Sequence, residues 1–382
     1  MKRLVYLFNR SAILFSVLLL IVFSLPACSK KQPQDNIIKL GASFPLSGDN
    51  ASYGNDARQG IELALDEINA SGGIKGKKVV VDFEDDVVDP QKGVSIMLKF
   101  ATAAKVPVVI GSAGTGVTLA MAPIANKEKV VLISPISSGA AVTEAGPFVF
   151  RTCPSDAAQA EIVVDWMLEK NLKNVGVLYV NNAWGVGLQK AFKKYFEAKG
   201  GKVLIEEGTE ETVTDYRSQL TKLVSAKCDA VYIPTYSKQG GRILRQAKEL
   251  GISIPIFGGD TWGAQELLDA AGSASDGAFF VVPEKYEGKE YKDFAKKYEA
   301  KYHTIPNFNA SSSYDCMHIV AIAISKVAES GLPVTGDNVR KSLQESSFVG
   351  ATGLTKFDQN GDVLGKVFGR REIRDGMAKS IQ

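Results

Sequence analysis

Histidine is nearly missing: His303 and His318 are the only two in 382 residues. That scarcity argues against imidazole-based acid–base catalysis and against a histidine metal site. Cysteine is sparse as well. Cys28, Cys153, Cys228 and Cys316 lie far apart, without the close pairs that hold zinc. A disulfide among the last three would strand one thiol, so all three read as small buried apolar side chains. Excess charge of one sign is also lacking. Lysine and arginine number 45 against 42 aspartates and glutamates, and without Lys2, Arg3 and Arg10 the signs balance. A neutral chain has no basic stripe to steer it to nucleic acid. No nucleophile–base pair stands out, so the sequence reads as a non-enzyme that needs no cofactor.

What is present begins at the N-terminus. Lys2, Arg3 and Arg10 lead into an apolar run from Ala12 to Leu25 broken only by Ser16 and Ser24, the layout of a signal peptide over residues 1–27. The run is shorter than the roughly 20 residues a spanning helix needs. It stops at Leu25-Pro26-Ala27-Cys28, which resembles a bacterial lipobox and makes Cys28 the expected lipidation site. Residues 28–36, with Lys30, Lys31 and Pro33, read as a polar tether. The expectation is an exported protein, held to a membrane by its lipid and facing the periplasm or cell exterior.

The roughly 350 residues that follow exceed one ordinary core and suit two domains. Short β-branched runs alternate with helical stretches: Ile38–Phe44, Val79–Phe83, Val106–Ile110, Val130–Ile133, Val175–Val180, Val203–Ile205, Ala230–Ile233, Ile254–Phe257 and Ala278–Val282. Between them, Ala57–Asn69, Gly187–Ala198, Tyr216–Ser225 and Gly240–Leu250 carry apolar residues at three- and four-residue spacing. The pattern predicts an α/β fold of two Rossmann-like lobes with parallel-sheet cores.

A faint internal symmetry accompanies it. After the strand ending at Phe44 come Tyr53-Gly54, a helix and Gly72-Gly73; after the strand ending at Val180 come Trp184-Gly185, a helix and Gly200-Gly201. Ligands of open parallel sheets bind beyond the C-terminal strand ends. Tyr53 and Trp184, each in a loop on the binding edge of its lobe, could therefore close on one ligand from opposite sides. The plainer alternative is that both pack at loop–helix junctions. Gly111-Ser112-Ala113-Gly114-Thr115-Gly116 also follows a strand and precedes a helix, so backbone amides and the Thr115 hydroxyl converge where an anion is favoured. It lacks a phosphate-loop lysine and the dinucleotide glycine spacing, which makes it a carboxylate cradle. Ser134-Pro135-Ile136-Ser137-Ser138 ends the next strand beside it. Thr115 and Ser138 could equally be ordinary helix N-caps.

Five blocks in order, Leu40 to Gly48, Ile68 to Gly76, Asp85 to Pro90, Leu132 to Pro135 and Leu244 to Ala247, resemble the periplasmic leucine/isoleucine/valine-binding proteins. These are type I solute-binding components of branched-chain amino-acid ABC transporters, and the resemblance spans nearly the whole chain after the tether. It implies a type I periplasmic binding fold whose two lobes are joined by a three-strand hinge. Residues 37–156 with 285–357 would form the N-terminal lobe, and 157–284 with 358–382 the C-terminal lobe. Position by position, it implies that the Ala113 backbone, Thr115 and Ser138 hold a ligand α-carboxylate, and that Ser138 and the Ile136 carbonyl help hold the α-ammonium. Asp260 matches the acidic partner of that ammonium, the alternative being a surface or capping aspartate. Tyr236 matches a cleft tyrosine, and Tyr53 and Trp184 line the side-chain pocket.

Two positions depart from the pattern: Asp260 is one methylene shorter than the usual glutamate, and Trp184 is bulkier than the usual tyrosine. Some relatives also carry a disulfide where this chain has Val88 and Gly114. The implied function is capture of a branched-chain or other apolar or aromatic amino acid by hinge closure, for delivery to a membrane permease, by a monomer. Alternatives are an amide, urea or aromatic carboxylate as cargo, or presentation of the ligand to a sensory receptor.

Overall fold

The computed structural model describes residues 36–381. The leader, Cys28 and nearly all of the tether lie outside that range. In the first sheet, β1 (Ile37–Phe44), β3 (Val108–Gly111), β4 (Val131–Ser134) and β5 (Val149–Arg151) pair in parallel, and β2 (Lys78–Asp85) flanks β1. The second sheet runs β14-β13-β10-β9-β8-β6-β7. Its strands β6 (Asn174–Val180), β7 (Lys202–Thr209), β8 (Ala230–Ile233), β9 (Ile256–Gly258) and β10 (Phe279–Pro283) are parallel. The antiparallel hairpin β13 (Phe368–Arg374) and β14 (Met377–Ile381) completes it.

Central strands such as Val108–Gly111 and Ala230–Ile233 are buried throughout, because helices cover both faces of a parallel sheet. On the first sheet, α1 (Ala51–Ala70) packs against α10 (Phe308–Glu329). Fourteen residues of α10 are buried, as expected of a helix enclosed on nearly every side. The helices preceding it are α2 (Pro90–Leu98), α3 (Thr115–Glu128), α4 (Asp156–Glu169), α5 (Ala183–Ala198), α6 (Arg217–Ser225), α7 (Ser237–Glu249), α8 (Gln265–Ala271) and α9 (Lys289–Tyr302). After α10 come α11 (Gly336–Gln344) and the hairpin β11 (Ser347–Gly350) and β12 (Gly353–Lys356). The chain passes between the sheets three times, near residues 152–155, 284–288 and 357–367.

All nine predicted strands are present, Ala230–Ile233 with the ends expected and the other eight with shifted ends, and two shifts have one cause. β3 begins after Pro107 and β9 after Pro255, since proline lacks the N–H a ladder needs. Three of the four predicted helices begin earlier than periodicity predicted, and the fourth begins one residue later, at Arg217. Tyr53 and Trp184 therefore lie in the first turns of α1 and α5, where loops were expected. Asn182 sets the start of α5 by accepting from the Gly185 amide at 2.9 Å, a side-chain cap that leaves no trace in hydrophobic spacing. Cys153, Cys228 and Cys316 are free and buried.

Candidate functional site

Gly54 and Gly185 explain the repeated aromatic-glycine pairs. A Cβ on Gly54 would meet the Pro45 carbonyl oxygen at 1.9 Å, and one on Gly185 the Val180 carbonyl oxygen at 2.1 Å. Each helix thus starts hard against the end of its own preceding strand, and the aromatic one residue earlier is delivered to the cavity between the sheets. That cavity holds about 400 Å³, well above the roughly 150 Å³ that accommodates benzene. Tyr53, Ala113, Thr115, Ile136, Ser138, Trp184, Tyr236 and Asp260 all line it. Val88, Pro154, Pro283 and Arg371 from the cradle and the crossings extend its wall.

The aromatic wall is a relay. Trp184 stacks on Tyr236 at 5.3 Å and 10°, and Tyr53 tilts over the same ring at 6.1 Å. Asn182 donates to the Tyr236 hydroxyl at 3.0 Å, so the residue that caps α5 also sets the central ring. Ser237 donates to the Thr261 carbonyl at 2.6 Å and is left to accept from the Tyr53 hydroxyl at 2.9 Å. This bond and the exposed Lys238 ammonium on the Asp49 carbonyl at 3.3 Å tie α1 and its leading loop to α7.

The cradle is held by a buried hydroxyl network. Asp86 accepts from Ser43 and Ser112 at 2.8 Å each and from the Val88 amide at 3.0 Å. The Ser112 carbonyl accepts from Ser134 at 2.6 Å and Ser137 at 2.8 Å. The Ser112 and Gly114 amides are spent on Thr118 Oγ1 and Ser112 Oγ. The Ala113 and Thr115 amides find no protein acceptor among the described residues and remain available to an anion. Neither N-cap alternative holds. Thr115 is the first residue of α3, behind Gly114, and its Oγ1 accepts from the Gly139 amide at 3.2 Å, leaving its own proton free. Ser138 precedes Gly139, which opens the short helical turn Ala140–Glu144. Arg151, fully buried, donates to the carbonyls of Ser138 and Gly139 at 2.9 Å each and pairs with Asp362 at 2.7 Å.

Asp260 stands across from the cradle. Its amide donates to Gln159 at 2.9 Å, and its carboxylate accepts from the Thr261 amide at 3.0 Å. Removal from water raises its pKa to about 6. No lysine or arginine pairs with it among the described residues. Sequence reasoning passed over Asp86, Arg151, Asp156 and Gln159. The one available signal was the spacing of Asp156 and Gln159 by three residues at a helix start, right after a strand. Val88 touches Gly114, whose added Cβ would meet it at 2.8 Å. His318 is driven down to about 4 by burial, and among the described residues no group of three His, Cys, Asp or Glu could hold a metal.

Two sheet-centred lobes, three crossings and one cavity walled by strand ends from both lobes define a two-lobed binding protein of the type I periplasmic architecture. The chain belongs to the periplasmic binding protein family: residues 37–368 match its model. The Leu/Ile/Val-binding protein homolog 3 of Brucella melitensis is 30% identical over 356 residues, covering 90% of this chain and 94% of that one. Among solved structures, the branched-chain amino acid transporter substrate binding protein LivJ of Streptococcus pneumoniae, in complex with isoleucine, superimposes with a TM-score of 0.81. It is 30% identical, and the match covers 90% of this chain and 99% of that one. A solute binding protein of an ABC transporter from Rhodopseudomonas palustris, in complex with 3,4-dihydroxybenzoic acid, gives a TM-score of 0.80 at 26% identity, covering 91% and 96%.

Proposed function

We propose that this protein is the solute receptor of an ABC importer and that its cargo is an apolar or aromatic α-amino acid. The observation that carries the reading is the polarity of the cavity. Free amides at Ala113 and Thr115 face an anion on one wall, and Asp260, with no cation of its own, faces the other. A zwitterion removed from water needs charge-assisted bonds at both ends. Because the two anchors belong to different lobes, affinity depends on closure, and the ligand stabilises the closed state. Ser138 and the Ile136 carbonyl serve the ammonium, and Tyr53, Tyr236 and Trp184 take the side chain. Lobe boundaries at 37–156 with 285–357 and 157–284 with 358–382 are supported by the strands that share the second sheet and by the packing of Phe294, Tyr314, Met317, Ile324 and Phe357 into the core around the first sheet.

The partner is a permease that reads the closed form. Export and a lipid on Cys28 follow from the leader reading. The protein acts as a monomer without turnover or cofactor. Among the described residues, no helix is long and apolar enough to cross a membrane.

A second reading is favoured by the aromatic wall and by the dihydroxybenzoate complex of the R. palustris relative: an aromatic carboxylate would use the cradle and the rings and ignore Asp260. Isothermal titration of the full chain, unfolded and refolded to strip bound ligand, separates the two when run against the twenty amino acids, benzoate, urea and short amides. Amino-acid binding that Asp260→Ala abolishes, with the melting curve retained, is the expected result. Binding of benzoate alone, or amino-acid affinity untouched by Asp260→Ala, overturns the zwitterion site.

A further inference from the structure

Behind Asp260 lies a second carboxyl group that the ligand cannot reach. Asp156, at the start of α4, is fully buried. Its Oδ1 accepts from Gln159 Nε2 at 2.8 Å, and the Oε1 of the same amide accepts from the Asp260 backbone at 2.9 Å. One glutamine therefore links the two aspartates. The other Asp156 oxygen, Oδ2, is buried without a well-formed hydrogen bond, with the Ser138 hydroxyl beside the carboxyl, and the hydroxyl of Tyr232 on β8 is buried and unpaired as well.

No cation neutralises this cluster. The guanidinium facing Asp156 is Arg151, which is committed to Asp362 and to the carbonyls of Ser138 and Gly139. Cys153 faces it from the first crossing, Tyr232 from β8 and Asp260 from the turn after β9; Lys366, further off, faces Cys153 and Asp315. A buried ionised oxygen with no partner is far costlier than a neutral carboxyl. The Asp260 charge is felt at Asp156, and neighbouring carboxylates do not both ionise readily. Burial, then the neighbouring Asp260 charge, pushes Asp156 well above the usual carboxylate range, while Asp260 is raised only to about 6. Environments that differ this way divide a carboxyl pair into a neutral member and a charged one.

We infer that Asp156 and Asp260 form a carboxyl pair sharing one proton, held on Asp156, so that the pair presents a single negative charge to a single ammonium. This rests on the zwitterion reading of the cavity. Asp156 is a positioning residue. Through Gln159 it fixes the Asp260 backbone, and its amide, donating to the Ser138 carbonyl at 2.8 Å, fixes the serine beside the ammonium. Below about pH 6 Asp260 takes up a second proton, which must leave to solvent before an ammonium can bind.

The test is the pH profile of amino-acid affinity for the refolded full chain and for Asp156→Asn, together with the protonated-carboxyl stretch in the infrared at pH 7.5. Wild-type affinity is expected to fall by about tenfold per pH unit below about pH 6. Asp156→Asn, a neutral isostere, should bind within about threefold of wild type at pH 7.5. It should also leave the acid limb within about 0.5 pH unit of wild type, because one neutral group replaces another, and remove one infrared carboxyl band. More than about tenfold loss at pH 7.5 with an intact melt, an acid limb moved to lower pH, which would mean that the substitution had removed a negative charge, or no such band in the wild type overturns the shared proton. If Asp156→Asn does not fold, the wild-type infrared band and acid limb decide. Failure of every amino acid to bind at any pH overturns the zwitterion site and this inference together, whereas binding without the acid limb overturns only the pair.

Discussion

Asp86 touches no cavity surface, yet three donors converge on it: the hydroxyls of Ser43 and Ser112 and the Val88 amide. Asp86→Ala strands all three in the interior, at about 1–3 kcal/mol for each unsatisfied group. The expected result is a melting temperature lowered by several degrees and a cradle too loose to hold a carboxylate, read by calorimetry and by titration. Asp260 carries the opposite linkage to the usual acid. Its folded pKa of about 6 lies above the ordinary 3.8, so the ligand-free native state binds a proton more tightly than the unfolded chain does. Its ionisation therefore erodes stability as pH rises from about 4 through 6. Denaturant unfolding of the empty protein should show wild type gaining on Asp260→Asn by on the order of 1–3 kcal/mol between pH 7.5 and pH 4. A gap that stays constant would mean that Asp260 is not held in a desolvating site. The sequence offered Asp260 through its place after an apolar strand, but Asp86 and Asp156 looked like ordinary acids. Burial, which makes them matter, has no local signature.

At the scale of elements, the starts of α1 and α5 do the positioning. A side chain at Gly54 or Gly185 collides with a backbone carbonyl oxygen about 2 Å away, which cannot rotate aside. Gly54→Ala and Gly185→Ala are each expected to cost about 1–3 kcal/mol by overpacking. Both should weaken ligand binding by swinging Tyr53 or Trp184 out of the wall, seen as lost affinity together with a lower melting temperature. Hydrophobic spacing showed that helices follow these strands. It missed their first turns, because the first turn of α5 is set by the Asn182 cap, which also holds Tyr236. The hairpin β13–β14 escaped sequence analysis for a related reason. Arg370, Arg371, Glu372 and Arg374 look like a solvated loop until Arg370 pairs with Glu169 and Arg371 with Glu284.

For the whole molecule, the lobes meet at the cavity where the Tyr53 ring tilts over Tyr236. There the Tyr53 hydroxyl bonds Ser237 at 2.9 Å. Tyr53→Phe keeps the ring against Tyr236 and removes only that bond, so affinity should fall by about 1 kcal/mol, roughly fivefold. Stopped-flow measurement should place the change in the off-rate, since the bond forms only after the lobes meet. An unchanged off-rate would mean that the hydroxyl plays no part in holding the closed form.

Composition and periodicity by themselves determined the α/β class and the two parallel-sheet cores, because strand and helix periods are local. The glycine-rich cradle and the aromatic-glycine repeats were legible too, since a turn and a close approach demand particular residues. Only the tertiary structure decided that Tyr236 stands between Tyr53 and Trp184, that Asp86 holds the cradle, and that Asp156 lies hidden behind Asp260. Those relations join residues from tens of positions to more than a hundred apart in the chain, and the energy of a buried charge depends on what surrounds it rather than on what precedes it.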